Sequence, residues 1–464
     1  MAEIVEAHMA LIFIECGTSM TSPFHTGIQR VVRNIVRECE TVGLSLGHEC
    51  IPVNFSNSKF RLLEHVQLSA PQATPKPSSI KRFLLSGVRV YKSIKHHVPR
   101  PLHKCVLWTV GWLQRVAEQI SVKAHHYFLR LTYQRLPPTI DEVWNQRKFR
   151  ELPLNAGSPP ILLLLDSTWN MKFWPAVDKF RAAGGQVTAV LYDLIPFTHP
   201  DTVEEHTRNA HTSWWLEAPK RIDSVICISN TVRSQYLLWQ KDSKLSRQLP
   251  QERVGYFYLG SEIYSEKHET DDQALSLGNE DPYCLVVGSI EPRKNHSTIV
   301  DAFDDLWRRG VPINLVIVGS HGWHSEVFLS RVANHPMANR RLFLFRRTTD
   351  AQLALLYGQT TALIIASVAE GFGLPIVEAF QRGARVICSD IPVFREIAGG
   401  KALYFDPTNH NELADRILVV TKTVEETKDI QNVGASWLTW SDSAKDILQK
   451  TVYLNENHDH PIKR

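Results

Sequence analysis

The chain has 464 residues, of which 43% are hydrophobic and 22% are charged, and its formal net charge is +4. This composition is typical of a globular protein and excludes a disordered or fibrous one. A chain of 464 residues is too long for one ordinary hydrophobic core, so we predict two domains. A net charge this small does not indicate nucleic-acid binding, and the basic residues match no nucleic-acid recognition motif.

The cysteines and the first residues indicate a compartment. Seven cysteines are scattered along the chain without a Cys-x-x-Cys pair, which predicts buried, reduced thiols rather than disulfides or zinc ligands. Residues 1–6 are acidic and lack the basic start and apolar core of a signal peptide. No apolar run reaches the ~18 residues of a transmembrane helix. We therefore expect a cytoplasmic protein.

The first regular pattern is strand, loop and helix. Residues 11–15 form an apolar run, residues 17–27 are polar, and apolar side chains then recur at helical spacing. This order predicts the opening of a Rossmann-like domain, which we place at residues 1–265. Gly27 and Arg30 lie at the start of the helix. Arg30 is a candidate for a phosphate contact across a cleft, and a solvated helix arginine is the alternative.

Residues from about 70 to 155 interrupt this pattern. Between residues 76 and 150 there are fifteen Lys or Arg residues and three acidic residues, a local charge of about +12, with Trp108, Trp112 and Phe128 interleaved. Basic amphipathic segments with tryptophan favour an anionic membrane surface. This segment therefore predicts peripheral attachment to the inner face of a membrane. The alternative is an insertion that packs its apolar side on its own domain.

Alternating strands and helices return after residue 160. Apolar runs at 161–165, 187–192, 225–229 and 254–259 predict buried strands. Ligands of parallel sheets bind beyond the carboxyl ends of the strands. The residues that follow two of these strands are therefore predicted to face a cleft: Asp166, Tyr192, Asp193 and His199.

The second domain, predicted at residues 283–440, follows a polar linker at 266–282. It opens with a strand, then Ser289 and a basic loop that places Arg293 and Lys294 at the strand end, where two cations neutralise a leaving diphosphate. A surface lysine is the alternative for Lys294. Gly319 ends the next strand, and the loop after it is a candidate for the nucleotide base. Arg346, beside Arg347, is another candidate for the second positive charge.

One stretch combines a buried strand, a glycine turn and a new helix. Gly371 and Gly373 leave the backbone of the turn unshielded, and Pro375 suits the first helical position. The free N–H groups of a helix N-terminus bind anions. Glu370 and Glu378 flank this turn, and carboxylates suit hydroxyl groups rather than phosphate. The stretch predicts a site for a nucleotide sugar. A strand–turn–helix with two solvated glutamates is the alternative.

This stretch resembles the signature of the retaining family-4 glycosyltransferases, in which two glutamates enclose Gly-Phe-Gly-Leu-Pro. The resemblance implies the α/β fold called GT-B: two Rossmann-like domains facing a central cleft, with a C-terminal helix, here in residues 441–464, crossing back to the first domain. It implies that Glu370 lies by the transferred sugar and that Glu378 binds the ribose. It also implies that the loop meets the sugar and the diphosphate through Gly371, Phe372, Gly373 and Leu374.

Two further motifs resemble the bacterial polysaccharide mannosyltransferases of this family. They are Gly-Ile-Gln-Arg at 27–30 and Glu-Pro-Arg-Lys-Asn at 291–295. The chain departs from the family pattern at Tyr192, where a histidine is usual, and at Ser289, where some members have an arginine. The resemblance covers residues 160–455 well and 10–40 moderately, and it does not cover the basic insertion.

The resemblance implies transfer of a sugar, with GDP-mannose as the first candidate donor, to a hydroxyl group of a glycan or a lipid-linked glycan. It implies retention of the anomeric configuration, with a donor phosphate oxygen taking the acceptor proton. The catalytic candidates are Glu370, Lys294 and Arg293. The sequence has no Asp-x-Asp motif and no metal-ligand cluster, so we expect neither a metal nor a cofactor. The alternatives are an epimerase or sucrose-type synthase of the same fold, and a non-catalytic membrane-binding scaffold.

Overall fold

The computed structural model describes residues 10–22, 27–63, 137–143, 159–243, 245, 247–263, 277, 279, 281–346, 348–426 and 437–456. These residues form two sheets, one of seven strands and one of six. The predicted basic insertion, at about residues 70–155, lies outside the described residues except for 137–143. Most of the predicted linker also lies outside them, and so does Arg347.

The first sheet has the strand order β3-β2-β1-β4-β5-β6-β7. Its strands are β1 (Leu11–Glu15), β2 (Glu49–Ser56), β3 (Lys59–Leu62), β4 (Ile161–Leu164), β5 (Gln186–Leu191), β6 (Ser224–Cys227) and β7 (Val254–Tyr256). Its helices are α1 (Gly17–Thr21), α2 (Gly27–Ser45), α3 (Trp174–Ala182), α4 (Ile195–Thr198), α5 (Glu205–Glu217) and α6 (Asn230–Asp242). The order reverses between β1 and β4, and such a switch point is where ligands of these sheets bind.

Two features of the first sheet differ from the sequence prediction. Strand β3 pairs antiparallel with β2 at the sheet edge, whereas the other neighbours in this sheet are parallel. Residues 17–21, predicted as loop, form α1. The backbone N–H and the hydroxyl of Ser19 both donate to the carboxylate of Asp166, a contact between residues far apart in the sequence. Asp166 therefore holds α1 in place and does not face an open cleft.

The second sheet has the order β10-β9-β8-β11-β12-β13, and every pairing in it is parallel, as predicted. Its strands are β8 (Tyr283–Val287), β9 (Asn314–Val318), β10 (Leu342–Phe345), β11 (Ala362–Ile365), β12 (Val386–Ser389) and β13 (Ala402–Phe405). Its helices are α7 (His296–Arg308), α8 (Glu326–Ala333), α9 (Asp350–Gln359), α10 (Leu374–Gln381), α11 (Pro392–Ala398) and α12 (His410–Glu426). Here the switch point lies between β8 and β11.

The last helix, α13 (Trp440–Glu456), packs on the first sheet and its helices. The Ser443 hydroxyl donates to the backbone oxygen of Tyr258 at 2.7 Å, and the Asn455 amide donates to the Thr188 hydroxyl at 2.8 Å. The helix is capped by Thr439, whose hydroxyl accepts from the Asp442 N–H at 3.0 Å. The helix begins one residue before the predicted segment 441–464.

The structure shows the state of the cysteines and the length and hydrophobicity of the helices. The six cysteines within the described ranges are buried and free. None of the helices in those ranges is both long enough and apolar enough to cross a lipid bilayer.

Candidate active site

The site is built from two loops that follow neighbouring strands. Strand β8 pairs with β11 in parallel, so both strands end at the same edge of the sheet. The loop after β8 carries Arg293 and Lys294, and the loop after β11 carries Glu370. The backbone N–H of Val368 donates to the backbone oxygen of Arg293 at 3.0 Å and joins the two loops. Lys294 and Glu370, which are 76 positions apart in the sequence, thus lie together at the switch point.

Glu370 lies between two cations. Its Oε1 is 2.5 Å from the Lys294 Nζ, and its Oε2 is 2.8 Å from the Arg293 Nη1. The Ser367 hydroxyl donates to Oε1 at 2.8 Å. Only 11% of the Glu370 side chain is exposed. Sequence reasoning predicted the three charged residues but missed Ser367.

The electrostatics of this cluster keep Glu370 ionised. Burial opposes ionisation of the carboxyl group, but the neighbouring Arg293 and Lys294 charges and hydrogen bonds from Lys294 and Ser367 outweigh it, and the pKa of Glu370 falls to about 2. Burial lowers the pKa of Arg293, whereas Glu370, Glu291 and Asp193 raise it, and the net shift is upward. The site therefore holds a fixed, ionised carboxylate next to Arg293 and Lys294.

Arg293 and Lys294 differ in how many protein partners they have. The Arg293 guanidinium also contacts the Glu291 carboxylate at 2.6 Å and donates to the backbone oxygen of Ala369 at 2.8 Å. Arg293 thus ties the two loops together. Lys294 passes beside Gly288, where an added Cβ would lie 3.7 Å from the lysine Nζ. Lys294 is consequently the cation better able to turn toward a ligand.

The loop after β11 leads directly into α10. Gly373 is the N-cap of this helix, with a φ of 100°, and provides no side-chain cap. Since the helix begins at Leu374, Pro375 is its second residue and not the first, as predicted. Pro375 has no N–H group, and the Ile376 N–H donates to the backbone oxygen of Gly373 at 2.9 Å. The positive end of the α10 dipole nevertheless lies at the loop that carries Glu370. Gly371 is required for packing, because a Cβ there would lie 2.1 Å from the backbone oxygen of Tyr192. Phe372 is only 3% exposed and packs beside Tyr258 and Trp437.

Glu378 is buried and has protein partners on both oxygens. The Arg30 Nη1 lies 2.7 Å from Oε1, and the Tyr357 hydroxyl donates to Oε2 at 2.8 Å. Arg30 lies on α2 of the first sheet, so this ion pair joins the two halves of the molecule. The sequence predicted Arg30 near a phosphate or in solvent and did not indicate Tyr357 at all. The alternative of two solvated glutamates is wrong for both Glu370 and Glu378.

The residues predicted to face the cleft from the first sheet divide into two groups. The Tyr192 ring is buried and its hydroxyl donates to the backbone oxygen of Leu165 at 2.7 Å, so its side chain points into the core and the prediction for it is wrong. Burial and the Glu370 and Glu291 charges raise the pKa of Asp193, although Arg293 opposes them. Asp193 therefore lies near the ion cluster. His199 is exposed at the end of α4.

Four other predicted residues lie around this core of the site. Ser289 is half-buried in the loop after β8, and Gly27 is the exposed first residue of α2. Gly319 has a packing role, since a Cβ there would lie 2.0 Å from the backbone oxygen of Gly288. Arg346 is exposed directly after β10, two strands away from β8.

Two contacts between the halves of the molecule were not predicted. The Ser229 hydroxyl donates to the backbone oxygen of Gly371 at 2.8 Å. The Glu396 carboxylate accepts from the backbone N–H groups of Asn230 and Thr231, each at 2.7 Å, and so caps α6 from the other half. Within the described ranges, no group of three His, Cys, Asp or Glu side chains is arranged to hold a metal ion.

Two sheets of the Rossmann type, a charged site at the switch point of the second sheet, and a last helix that returns to the first define the GT-B fold. Sucrose-phosphate synthase from Thermosynechococcus elongatus has a similar fold, with a TM-score of 0.53 and 15% identity over 95% of this chain and 98% of that chain. Residues 267–437 match the family described as Glycosyl transferases group 1. The match includes all strands of the second sheet.

The similar curated proteins are bacterial. Serotype-specific mannosyltransferase WbdA of Escherichia coli is 33% identical over 305 residues, 64% of this chain and 37% of the relative. O-antigen chain mannosyltransferase RfbU of Salmonella typhimurium is 28% identical over 245 residues, 52% of this chain and 62% of the relative. The match to WbdA thus spans little more than a third of that relative's length.

Proposed function

We propose that this chain is a retaining glycosyltransferase that moves a hexose from a nucleotide diphosphate to a hydroxyl group of a glycan or lipid-linked glycan. The Glycosyl transferases group 1 domain supports the reaction class. The similarity to proteins named mannosyltransferases supports mannose as the sugar and GDP-mannose as the first donor to test.

The observation that carries this proposal is the position of Glu370 between Lys294 and Arg293, in the loop that leads into α10. A departing diphosphate needs positive charge, which Lys294 and the positive dipole end of α10 supply. The sugar ring becomes cationic as the bond breaks, and the ionised Glu370 carboxylate stabilises and orients it. Arg293 acts through Glu370 as a positioning residue. The protein cations make a metal ion unnecessary for this step in the proposed reaction.

We place the nucleotide ribose at Glu378. Arg30 and Tyr357 already bind its two oxygens, so donor binding displaces Arg30 from Oε1 in this proposal. A vicinal diol then donates to the carboxylate, which has lone pairs for it. The released Arg30 becomes available to the diphosphate from the first half of the molecule.

A panel of nucleotide sugars tests the proposal. The full chain is incubated with each donor and a membrane-extracted glycan acceptor, and release of the nucleotide diphosphate is measured. We expect acceptor-dependent release of GDP from GDP-mannose and, by NMR of the product, an anomeric configuration equal to that of the donor. Release from another donor alone would overturn the mannose assignment. No release from any donor would overturn the enzymatic proposal.

A further inference from the structure

A cavity of about 300 Å³ opens between the amino-terminal ends of α7 and α8. Neither Lys294, Ser367 nor Glu370 lines it. Its walls include Glu291, Asn295, His296, Ser297, Ser325 and Phe328. The function proposed above does not use this cavity.

Both helices that border the cavity begin without a side-chain cap. The two N-cap residues, Asn295 and Ser325, are of types that commonly cap helices, yet the side chain of neither caps a backbone N–H of its own helix. Instead the Asn295 Oδ1 accepts from the Thr298 hydroxyl at 2.8 Å. The Asn295 amide donates to the backbone oxygen of Pro407 at 2.7 Å, and the Ser325 hydroxyl lies 3.2 Å from the His321 Nδ1. The first-turn N–H groups of two helices therefore converge on one space without side-chain caps. Such groups attract anions.

His296 gives an independent indication of a ligand. Its side chain lines the cavity, is only 4% exposed, and packs against Phe328 with ring centroids 5.4 Å apart. Within the described ranges its Nδ1 has no hydrogen-bond partner. A buried polar atom without a partner is costly, and a ligand oxygen that accepts from Nδ1–H removes this cost. Burial and the Lys294 charge lower the pKa of His296 to about 3, so the ring is neutral near pH 7.

We propose that this cavity binds the phosphate group of a phosphorylated ligand. The first turn of α7 contains no acidic residue. The carboxylate of Glu291, which also lines the cavity, is paired with Arg293 at 2.6 Å. The first turn of α8 carries Glu326, so α7 supplies the more favourable of the two helix ends. The cavity is larger than a phosphate ion, which leaves room for a small organic group such as a sugar ring.

The cavity is separate from the donor site proposed above. Helices α7 and α8 pack in the core cluster on one face of the second sheet, whereas α10, which carries Glu378, packs in the cluster on the other face. A phosphate bound between α7 and α8 therefore does not occupy the position of the donor ribose. It lies next to the loop that carries Lys294, so a test must distinguish the two places.

Binding of orthophosphate and of a hexose phosphate to the full chain tests the proposal, by calorimetry and by thermal melting against chloride at equal ionic strength. Ser297→Asp places a carboxylate at the second position of α7 and should weaken phosphate binding roughly tenfold or more. The same change should not lower the melting temperature in chloride, because an acidic residue suits a helix N-terminus. His296→Phe keeps the ring packing and should weaken binding less. Tighter binding of the hexose phosphate than of orthophosphate identifies a sugar phosphate as the ligand class, and equal affinities identify the phosphate ion itself.

Lys294→Ala is the matched control for phosphate bound at the donor site. We expect it to change phosphate affinity far less than Ser297→Asp does. Phosphate binding that is lost in Lys294→Ala but kept in Ser297→Asp would place the ion at the donor site and overturn the proposal. The absence of any phosphate effect on the unmodified chain would overturn it too.

Discussion

At the scale of single residues, the contact between Lys294 and Glu370 predicts a kinetic effect. Lys294→Ala removes a cation from the place where the diphosphate leaves, and turnover should fall roughly 10²-fold or more, the usual loss for one preorganised donor. The measurement is product release at saturating donor. Lys422→Ala, at an exposed lysine on α12, is the control and should leave turnover unchanged. Full activity of the Lys294 variant would contradict its assignment.

Glu378 predicts an effect on nucleotide binding. Glu378→Ala should weaken binding of the nucleoside diphosphate by about 1–3 kcal/mol, because charged hydrogen bonds to the ribose are lost. Tyr357→Phe removes one hydrogen bond to the same carboxylate and keeps its charge, so its effect should be smaller. Calorimetric titration of both folded variants measures this. If the Glu378 variant and the unmodified chain bind the nucleoside diphosphate with equal affinity, the proposed position of the ribose is wrong.

Glu15 predicts a dependence of stability on pH. The residue is fully buried at the end of β1, its Oε2 has no hydrogen-bond partner in the described part of the chain, and burial together with the Asp166 charge raises its pKa from 4.5 to about 8. Between these values the folded chain keeps a proton that the unfolded chain has lost, so stability falls as the pH rises from about 4.5 to 8.

Glu15→Gln keeps the shape of this side chain and removes its titration. From pH 5 to 8 the free energy of unfolding of the unmodified chain should fall by on the order of 2 kcal/mol more than that of the variant. Denaturant unfolding at several pH values measures the difference. Parallel pH profiles for the two proteins would show that Glu15 is ionised in the folded chain.

The residues of the site were predictable where a local motif placed them. Arg293, Lys294 and Glu370 each follow an apolar run that reads as a strand, and parallel strands end at one edge, so their meeting follows from the pattern. The pairing of Arg30 with Glu378 depends on how two sheets approach each other, which no local pattern encodes. Tyr192 was misplaced because a residue at a strand end can turn either inward or outward.

At the scale of elements, the buried central strands and the edge strand β7 were predictable, whereas β2, β3 and β13 were not. Strands β4, β8 and β11 are continuous apolar runs, as expected of parallel strands covered on both faces. Strands β2 and β3 are joined by Asn57 and Ser58, both at positive φ. A turn of this kind favours Asn and Gly, and serine at its second position weakens the signal. The edge strand β13 is only four residues long, three of them half-buried, and it has no alternation of polar and apolar residues.

The packing of α13 predicts a difference between two substitutions on one helix. Trp440 is 2% exposed, and its Nε1 donates to the backbone oxygen of Glu262 at 2.9 Å. Trp440→Ala should lower the free energy of unfolding by about 3–5 kcal/mol through the cavity it leaves. Gln449→Ala, at an exposed position of the same helix, should change it by at most about 0.5 kcal/mol. Similar losses in chemical denaturation would show that α13 does not anchor the fold.

At the scale of the whole molecule, the two halves meet at the proposed donor loop itself. Ser229 and the Tyr192 backbone contact Gly371, Arg30 pairs with Glu378, and Glu396 caps α6. Each contact joins a residue of the first sheet or its helices to the donor-site region or to α11. Entry of a donor into this place therefore requires some of these contacts to open. Their re-formation around the donor would exclude water and limit hydrolysis.

The basic segment between residues 76 and 150 lies mostly outside the described residues, and its membrane contact stays a prediction. A local charge of about +12 with tryptophans interleaved should hold the chain on anionic lipid, each Lys or Arg near the surface adding about 1 kcal/mol. Binding to anionic liposomes in co-sedimentation should fall steeply with salt, and neutral liposomes should bind poorly. Such attachment would place the cleft beside a lipid-linked acceptor.

Charge-reversal variants test whether lipid binding depends on the basic segment itself or on the net charge of the whole protein. Sedimentation with anionic liposomes should be abolished when four basic residues of the segment are changed to Glu: Lys81, Arg82, Lys92 and Lys95. Lys241→Glu with Lys422→Glu, two exposed positions elsewhere in the chain, should reduce it only slightly. An insertion that only packs on its own domain predicts no lipid binding at any ionic strength. A chain that stays in the supernatant at low salt would therefore decide for that alternative.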